Sequence, residues 1–168
     1  RALSTGYLDA TFDPAELRVD PAAGAAVVRL TLNTGPRYTF GPGRLDQDIL
    51  DPAFLARFVP FAPGDFYNVR KLLDLQYALD DTEYFSRVEV VPHPEQAVDG
   101  AVPIEVALDP NQRHKYTFGL GYGTDTGPRG TLGWDNRRVN SLGHRWRSQL
   151  KLAQVDSSAQ FSYLIPID

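Results

Sequence analysis

Asp125-Thr126-Gly127 has the residue order that supplies a carboxylate in aspartic proteases. That chemistry needs two carboxylates sharing one proton. The sequence holds no second copy, and Pro128 follows in a turn setting, so the run reads as a hairpin tip. Gly119-Leu120-Gly121-Tyr122-Gly123 has the alternating glycines of a phosphate-cradling loop, yet it lacks the third glycine at fingerprint spacing and precedes no helix. It reads as a strand. His93, His114 and His144 are scattered, without the spacing of a metal-binding pair. The chain has no Cys, which removes thiolate catalysis, disulfides and Cys-based zinc sites. Neither a metal nor a cofactor is expected.

The elements around these residues carry more information. Lys and Arg number 17 against 21 Asp and Glu, a net charge of −4. A nucleic-acid binder needs a basic excess for phosphates, so that class is set aside. The charge is uneven: residues 1–112 hold 9 basic and 17 acidic side chains, and residues 113–168 hold 8 and 4. The reversal at Pro110-Asn111-Gln112 marks a boundary. No apolar run approaches the ~18 residues of a spanning helix, and no basic segment followed by an apolar stretch marks a signal peptide. The 168-residue sequence opens at Arg1 and contains no Met, so it reads as a segment of a longer protein. Membrane strands stay possible, because ~10 alternating residues suffice for each.

In the acidic part, Gly6 to Leu17 has the texture of a strand, and Asp20-Pro21-Ala22-Ala23-Gly24 reads as a turn. Ala26 to Leu32 follows as a second strand with Val28, Leu30 and Leu32 on one face. A lone hairpin is marginal in water, so residues 1–32 read as the end of a domain lying mostly upstream. Residues 33–110 read as a complete unit. Arg37 to Phe40 is a short strand closed by Gly41-Pro42-Gly43, and Asp51-Pro52 opens a short helix to Phe58. Asp65 can cap a second helix over 66–80, with Val69, Leu72, Leu75 and Leu79 at helical spacing. Tyr84 to Val91 is a strand, and Val102, Ile104, Val106 and Leu108 alternate in another. Strand, helix, helix, strand, strand make an α+β domain with two helices on a three-stranded mixed sheet. An open strand edge accepts an extended peptide by main-chain hydrogen bonds. The strand containing Phe85, Ser86, Arg87, Val88, Glu89 and Val90 is the expected outer one, with Arg87 and Glu89 as charged guards.

Residues 111–168 alternate without a helical period. Tyr116, Phe118, Leu120 and Tyr122 share one face, opposite Thr117, Gly119, Gly121 and Gly123. Leu132 and Trp134 oppose Thr131, Gly133 and Asp135 in a second strand. Trp146, Leu150 and Leu152 alternate with Arg145, Arg147, Gln149 and Lys151 in a third; Phe161, Tyr163 and Ile165 mark a fourth. Two arrangements meet this pattern: a soluble antiparallel sheet over a core, or a barrel wall with the aromatic face in lipid and the polar face in a lumen. Trp134 and Trp146 fit either an interfacial belt or ordinary sheet packing. Four strands cannot close a barrel, so the barrel reading implies further strands in the natural chain.

The run Gly119-Leu120-Gly121-Tyr122-Gly123-Thr124-Asp125-Thr126-Gly127-Pro128-Arg129 resembles the first barrel hairpin of the Omp85 superfamily. With Asn136-Arg137-Arg138-Val139-Asn140 and Gly143-His144-Arg145, the likeness is to its TamA-like members. Gly35-Pro36-Arg37-Tyr38 and Glu83-Tyr84-Phe85-Ser86-Arg87-Val88 resemble a POTRA domain. The resemblance implies the last strands of one POTRA domain at 1–32, a complete one at 33–110, and four antiparallel strands of a truncated transmembrane β-barrel at 111–168. It implies a Gram-negative outer-membrane protein with periplasmic POTRA domains. The implied role is folding and inserting β-barrel proteins, autotransporters among them, with no covalent reaction catalysed. The implied partners are unfolded client proteins, the lipid bilayer and a TamB-like inner-membrane-anchored protein whose contact region lies outside this segment. The implied device is a weak seam at Tyr116, Phe118, Gly119, Leu120, Gly121, Tyr122 and Gly123, where glycines remove packing and ease unzipping. The isolated segment is expected to self-associate through its open strand edges.

Overall fold

The computed structural model describes residues 2–21, 24–124, 127–154 and 156–167. The elements run β1 (Thr11–Phe12), β2 (Glu16–Asp20), β3 (Ala25–Arg29), β4 (Leu32–Asn33), β5 (Thr39–Asp46), α1 (Pro52–Ala56), α2 (Val69–Asp81), β6 (Phe85–Pro92) and β7 (Ala101–Pro110). Then come β8 (His114–Gly123), β9 (Gly127–Asn136), β10 (Arg145–Ala153) and β11 (Ser158–Leu164). The class is mixed α+β, with few helices. Two compact units emerge, one of residues 1–44, 60–74 and 90–106, the other of 45–59, 75–89 and 107–168.

In the first unit the expected strand over 6–17 is broken. Leu3–Thr5 is a 3-10 turn, and Gly6 leaves it with φ 99°. Pairing is one residue out of step along the hairpin: Glu16 faces Arg29, but Phe12 faces Leu32. Residues 13–15 therefore oppose 30–31, a bulge centred on Pro14, which has no N–H to donate. The turn read at 20–24 includes Ala22 and Ala23, which lie outside the described residues. Leu17, Val19 and Val28 share one side of this hairpin and stay exposed.

β5 corrects another expectation, since it runs straight through Gly41-Pro42-Gly43 where a turn was signalled. A β-carbon on Gly41 would sit 2.9 Å from the main chain of Val102, so this glycine serves strand approach. β5 ends the sheet of order β5–β7–β6, where the N–H that Pro42 lacks costs least. Phe40 is fully buried, stacked on Phe61 with ring centres 4.0 Å apart. Tyr67, Leu72, Val102, Ile104 and Val106 complete this core. The cap of α2 also differs from expectation. Asn68 Oδ1 accepts from Arg70 N–H at 2.9 Å, while Asp65 accepts from Ala62 N–H and Lys71 Nζ.

His93, at the turn between β6 and β7, bonds Glu95 at 2.8 Å and Glu105 at 3.1 Å. The hydrogen bond to Glu95 raises its pKa above the usual value, partial desolvation opposes this, and Glu105 adds to it. A raised histidine stabilises the fold fully below its unfolded pKa of ~6.5, and that contribution fades as pH rises through the folded value. An NMR titration of His93 should therefore give a midpoint above that of a free histidine. Glu95→Gln should move it down.

In the second unit, Asp51 Oδ1 accepts from Ala53 N–H at 2.8 Å, and Pro52 opens α1 as its sequence signals. Leu50, Phe54, Leu55, Leu75, Leu79, Tyr84, Phe85, Val88 and Leu108 are buried. β8 to β11 form an antiparallel sheet in the order β11–β10–β9–β8. Gly123 pairs with Gly127 and Tyr122 with Pro128, so Gly127 and Pro128 belong to β9; Asp125 and Thr126 of the hairpin tip lie outside the described residues.

Candidate membrane wall and strand-docking edges

The register of the four-stranded sheet decides which side chains share a face. Tyr116 faces Trp134, Phe118 faces Leu132, Trp134 faces Ser148, Leu132 faces Leu150, and Ser148 faces Phe161. One face therefore carries aromatic and aliphatic side chains on every strand, with Ser148 set between Trp134 and Phe161. Leu120 is 96% exposed on it, and Phe118 77%. The other face carries Lys115, Thr117, Asp135, Arg147, Gln149 and Ser162 in the same rows. Ten residues of β8 extend ~31 Å, or ~24 Å at a ~40° tilt, which matches the ~25 Å apolar band of a barrel wall.

Trp134, Trp146 and Tyr163 gather at one end, and Tyr122 stands at the other. Trp134 Nε1 donates to His114 at 3.3 Å, His144 meets the Tyr163 hydroxyl at 2.7 Å, and Trp146 lies 6.1 Å from Tyr163. Purely apolar side chains occupy the middle. Such a division fits a ring of interfacial residues bordering a hydrocarbon band.

The seam residues all fall on β8, which ends this sheet and, among the described residues, pairs with β9 alone. Tyr116, Phe118, Leu120 and Tyr122 lie on the apolar face; Gly119, Gly121 and Gly123 lie on the polar one. The glycine side is less empty than its composition indicates. A β-carbon on Gly121 would come within 2.8 Å of Arg129 Nε, so the arginine side chain lies over the bare backbone.

The second set lies on β6, at the opposite end of the sheet from β5. Phe85 and Val88 are buried and belong to the core, whereas Ser86, Arg87 and Glu89 are exposed. Arg87 and Glu89 pair at 2.9 Å. Gln76 of α2 donates to the Val88 carbonyl at 3.3 Å, taking one main-chain acceptor of this edge. The outer side of β5 is occupied by the chain itself. Phe40 N–H donates to Asp65 O, Gly64 N–H to Phe40 O and Tyr67 N–H to Tyr38 O. The two candidate sets thus sit on the edges of two different sheets.

Sequence reasoning missed a clamp beneath the barrel-like sheet. The turn between β9 and β10 seats Gly143, φ 75°, against Phe54 and Tyr84. The Tyr84 hydroxyl donates to Gly143 O at 2.5 Å, and Asp51 N–H donates to Ser141 O at 2.9 Å. Burial pushes the Tyr84 phenol up, with Arg145 pulling the other way, so it remains a donor at neutral pH. Glu83, at φ 57°, accepts from Arg145 at 2.6 Å and lies 3.9 Å from Arg137. Asn111 Nδ2 donates to Glu83 O. The available signal was Gly143 itself, a glycine in a polar turn beside two arginines.

Extensive matches among solved structures include BamA and CdiB. BamA from Haemophilus ducreyi, in a structure lacking POTRA domains 1–3, aligns with a TM-score of 0.72 over 94% of this chain and 30% of its own, at 18% identity. CdiB from Acinetobacter baumannii aligns with a TM-score of 0.59 over 98% of this chain and 31% of its own, at 16% identity. The fold is shared. No family profile matches the chain. This chain therefore spans less than a third of either protein, with a likeness of fold.

Proposed function

We propose that this chain is part of an outer-membrane assembly or translocation factor of the Omp85 superfamily, with a TamA-like role in folding and inserting β-barrel clients such as autotransporters. In this reading, residues 1–32 end one POTRA domain, 33–110 form the next, and 111–168 begin the barrel. The observation that carries it is the apolar face that stays in register across β8, β9, β10 and β11, backed by a charged face. The shared fold with BamA and CdiB supports the superfamily and is neutral among its members. General barrel assembly, two-partner secretion and an Omp85 barrel fused to a hydrolase domain are the alternatives within it.

The POTRA domains stand in the periplasm, β6 docks an extended client or partner segment, and β8 pairs with an incoming strand. No covalent reaction is involved. A TamB-like partner would engage a region outside this segment. The test is disulfide trapping in cells between the full-length protein and the last strand of a client barrel. Gly119→Cys on β8 should crosslink several-fold more than Gln149→Cys within the sheet. Equal yields would exclude β8 as the receiving strand, and recovery of the protein from the aqueous fraction would exclude the outer-membrane role.

A further inference from the structure

The polar face of the four-stranded sheet carries charge that the assembly reading does not use. Arg147, Gln149 and Lys151 stand at alternate positions of β10, with Arg129 on β9 and Lys115 on β8 turned the same way. Asp135 is the one carboxylate in the described strand rows of this face. It binds Arg147 at 3.0 Å, while its Oδ1 is buried without a partner. Arg145 is taken by Glu83. Among the described residues, no ion pair engages Lys115, Arg129 or Lys151. Between Lys115 and Arg147 the floor is low, formed by Thr117, Thr131 and Gly133. A shallow cavity of about 190 Å³ opens there, bordered by Lys115, Asp135, Arg147 and Gln149.

We infer that this face binds an acidic, extended polypeptide segment threading the lumen. The inference rests on the barrel reading, which puts lipid on the other side of the sheet and leaves this side to water and protein. Alternate side chains of an extended chain recur every ~6.7 Å, the same period as the alternate positions of β10, so carboxylates four residues apart meet Arg147 and Lys151 in register while the side chain between them meets Gln149. The glycine and threonine floor lets the guest backbone lie close. A basic segment would meet like charge, and a neutral one would leave the cations unpaired. Exposed pairs of this kind are individually weak and screened by salt, which suits passage rather than retention.

The test uses the natural full-length protein in detergent and three capped peptides of about ten residues, alternating Glu-Thr, Gln-Thr and Lys-Thr. Calorimetry at low salt should show the Glu-Thr peptide binding most tightly. The double variant Arg147→Gln, Lys151→Gln should weaken it by roughly three- to tenfold, as should added salt. The same samples are run unheated and heated on a gel, where a mobility shift reports a folded barrel. If the shift is present, equal binding of Glu-Thr and Gln-Thr peptides, no binding, or indifference to the double variant overturns the inference. If the shift is absent in the wild-type protein, the barrel reading itself falls and takes the inference with it.

Discussion

Replacing Gly143 by alanine is expected to destabilise the protein more than other single-methyl additions and to free the β9–β10 turn. At φ 75° a β-carbon strains the backbone, and it would lie 2.6 Å from Phe54 Cζ and 2.8 Å from the Tyr84 hydroxyl. The left-handed conformation costs about 1–2 kcal/mol, and displacing two packed rings adds about 1–3 kcal/mol. Thermal or denaturant unfolding in detergent should register a loss of ~2–5 kcal/mol. Tyr84→Phe separates the contributions, because it keeps the ring and deletes the bond to Gly143 O, at about 1 kcal/mol. Wild-type stability in Gly143→Ala would mean that the turn is not seated on these rings.

Leu120→Arg should abolish or strongly impair membrane insertion. Leu120 is 96% exposed, so in a water-facing sheet the change would be nearly neutral. Facing hydrocarbon near the middle of the band, an arginine costs about 2–4 kcal/mol. Thr117→Arg, on the opposite face of β8, supplies the comparison and should insert normally. The measurement is the fraction of full-length protein reaching a folded, lipid-inserted form in vesicles. Equal insertion of the two variants would remove the lipid-facing assignment.

The legible parts of the sequence were those governed by local pattern. Two-residue alternation placed the side chains it named on β8 to β10 on their observed faces, because strand pleating is local. Asp51-Pro52 set α1 because capping acts within a few residues. Gly41-Pro42-Gly43 misled for the opposite reason: its local chemistry signals a turn, but the approach of Val102 decides its conformation. Asn68 outcompeted Asp65 as cap because its amide oxygen reaches the N–H of Arg70, the second residue of α2, a choice that composition leaves open. The clamp was invisible. Its partners, Tyr84 with Gly143 and Glu83 with Arg145, lie 59 and 62 residues apart and have no periodic signature.

The self-pairing of β5 with residues 64–67 has a consequence for stoichiometry. Residues 64–67 cover the outer side of β5 at Tyr38 and Phe40, whereas β6 ends the sheet on its other side. In the proposed docking role, a guest strand would therefore have its longer free flank beside β6, and each such domain would hold one chain there at a time.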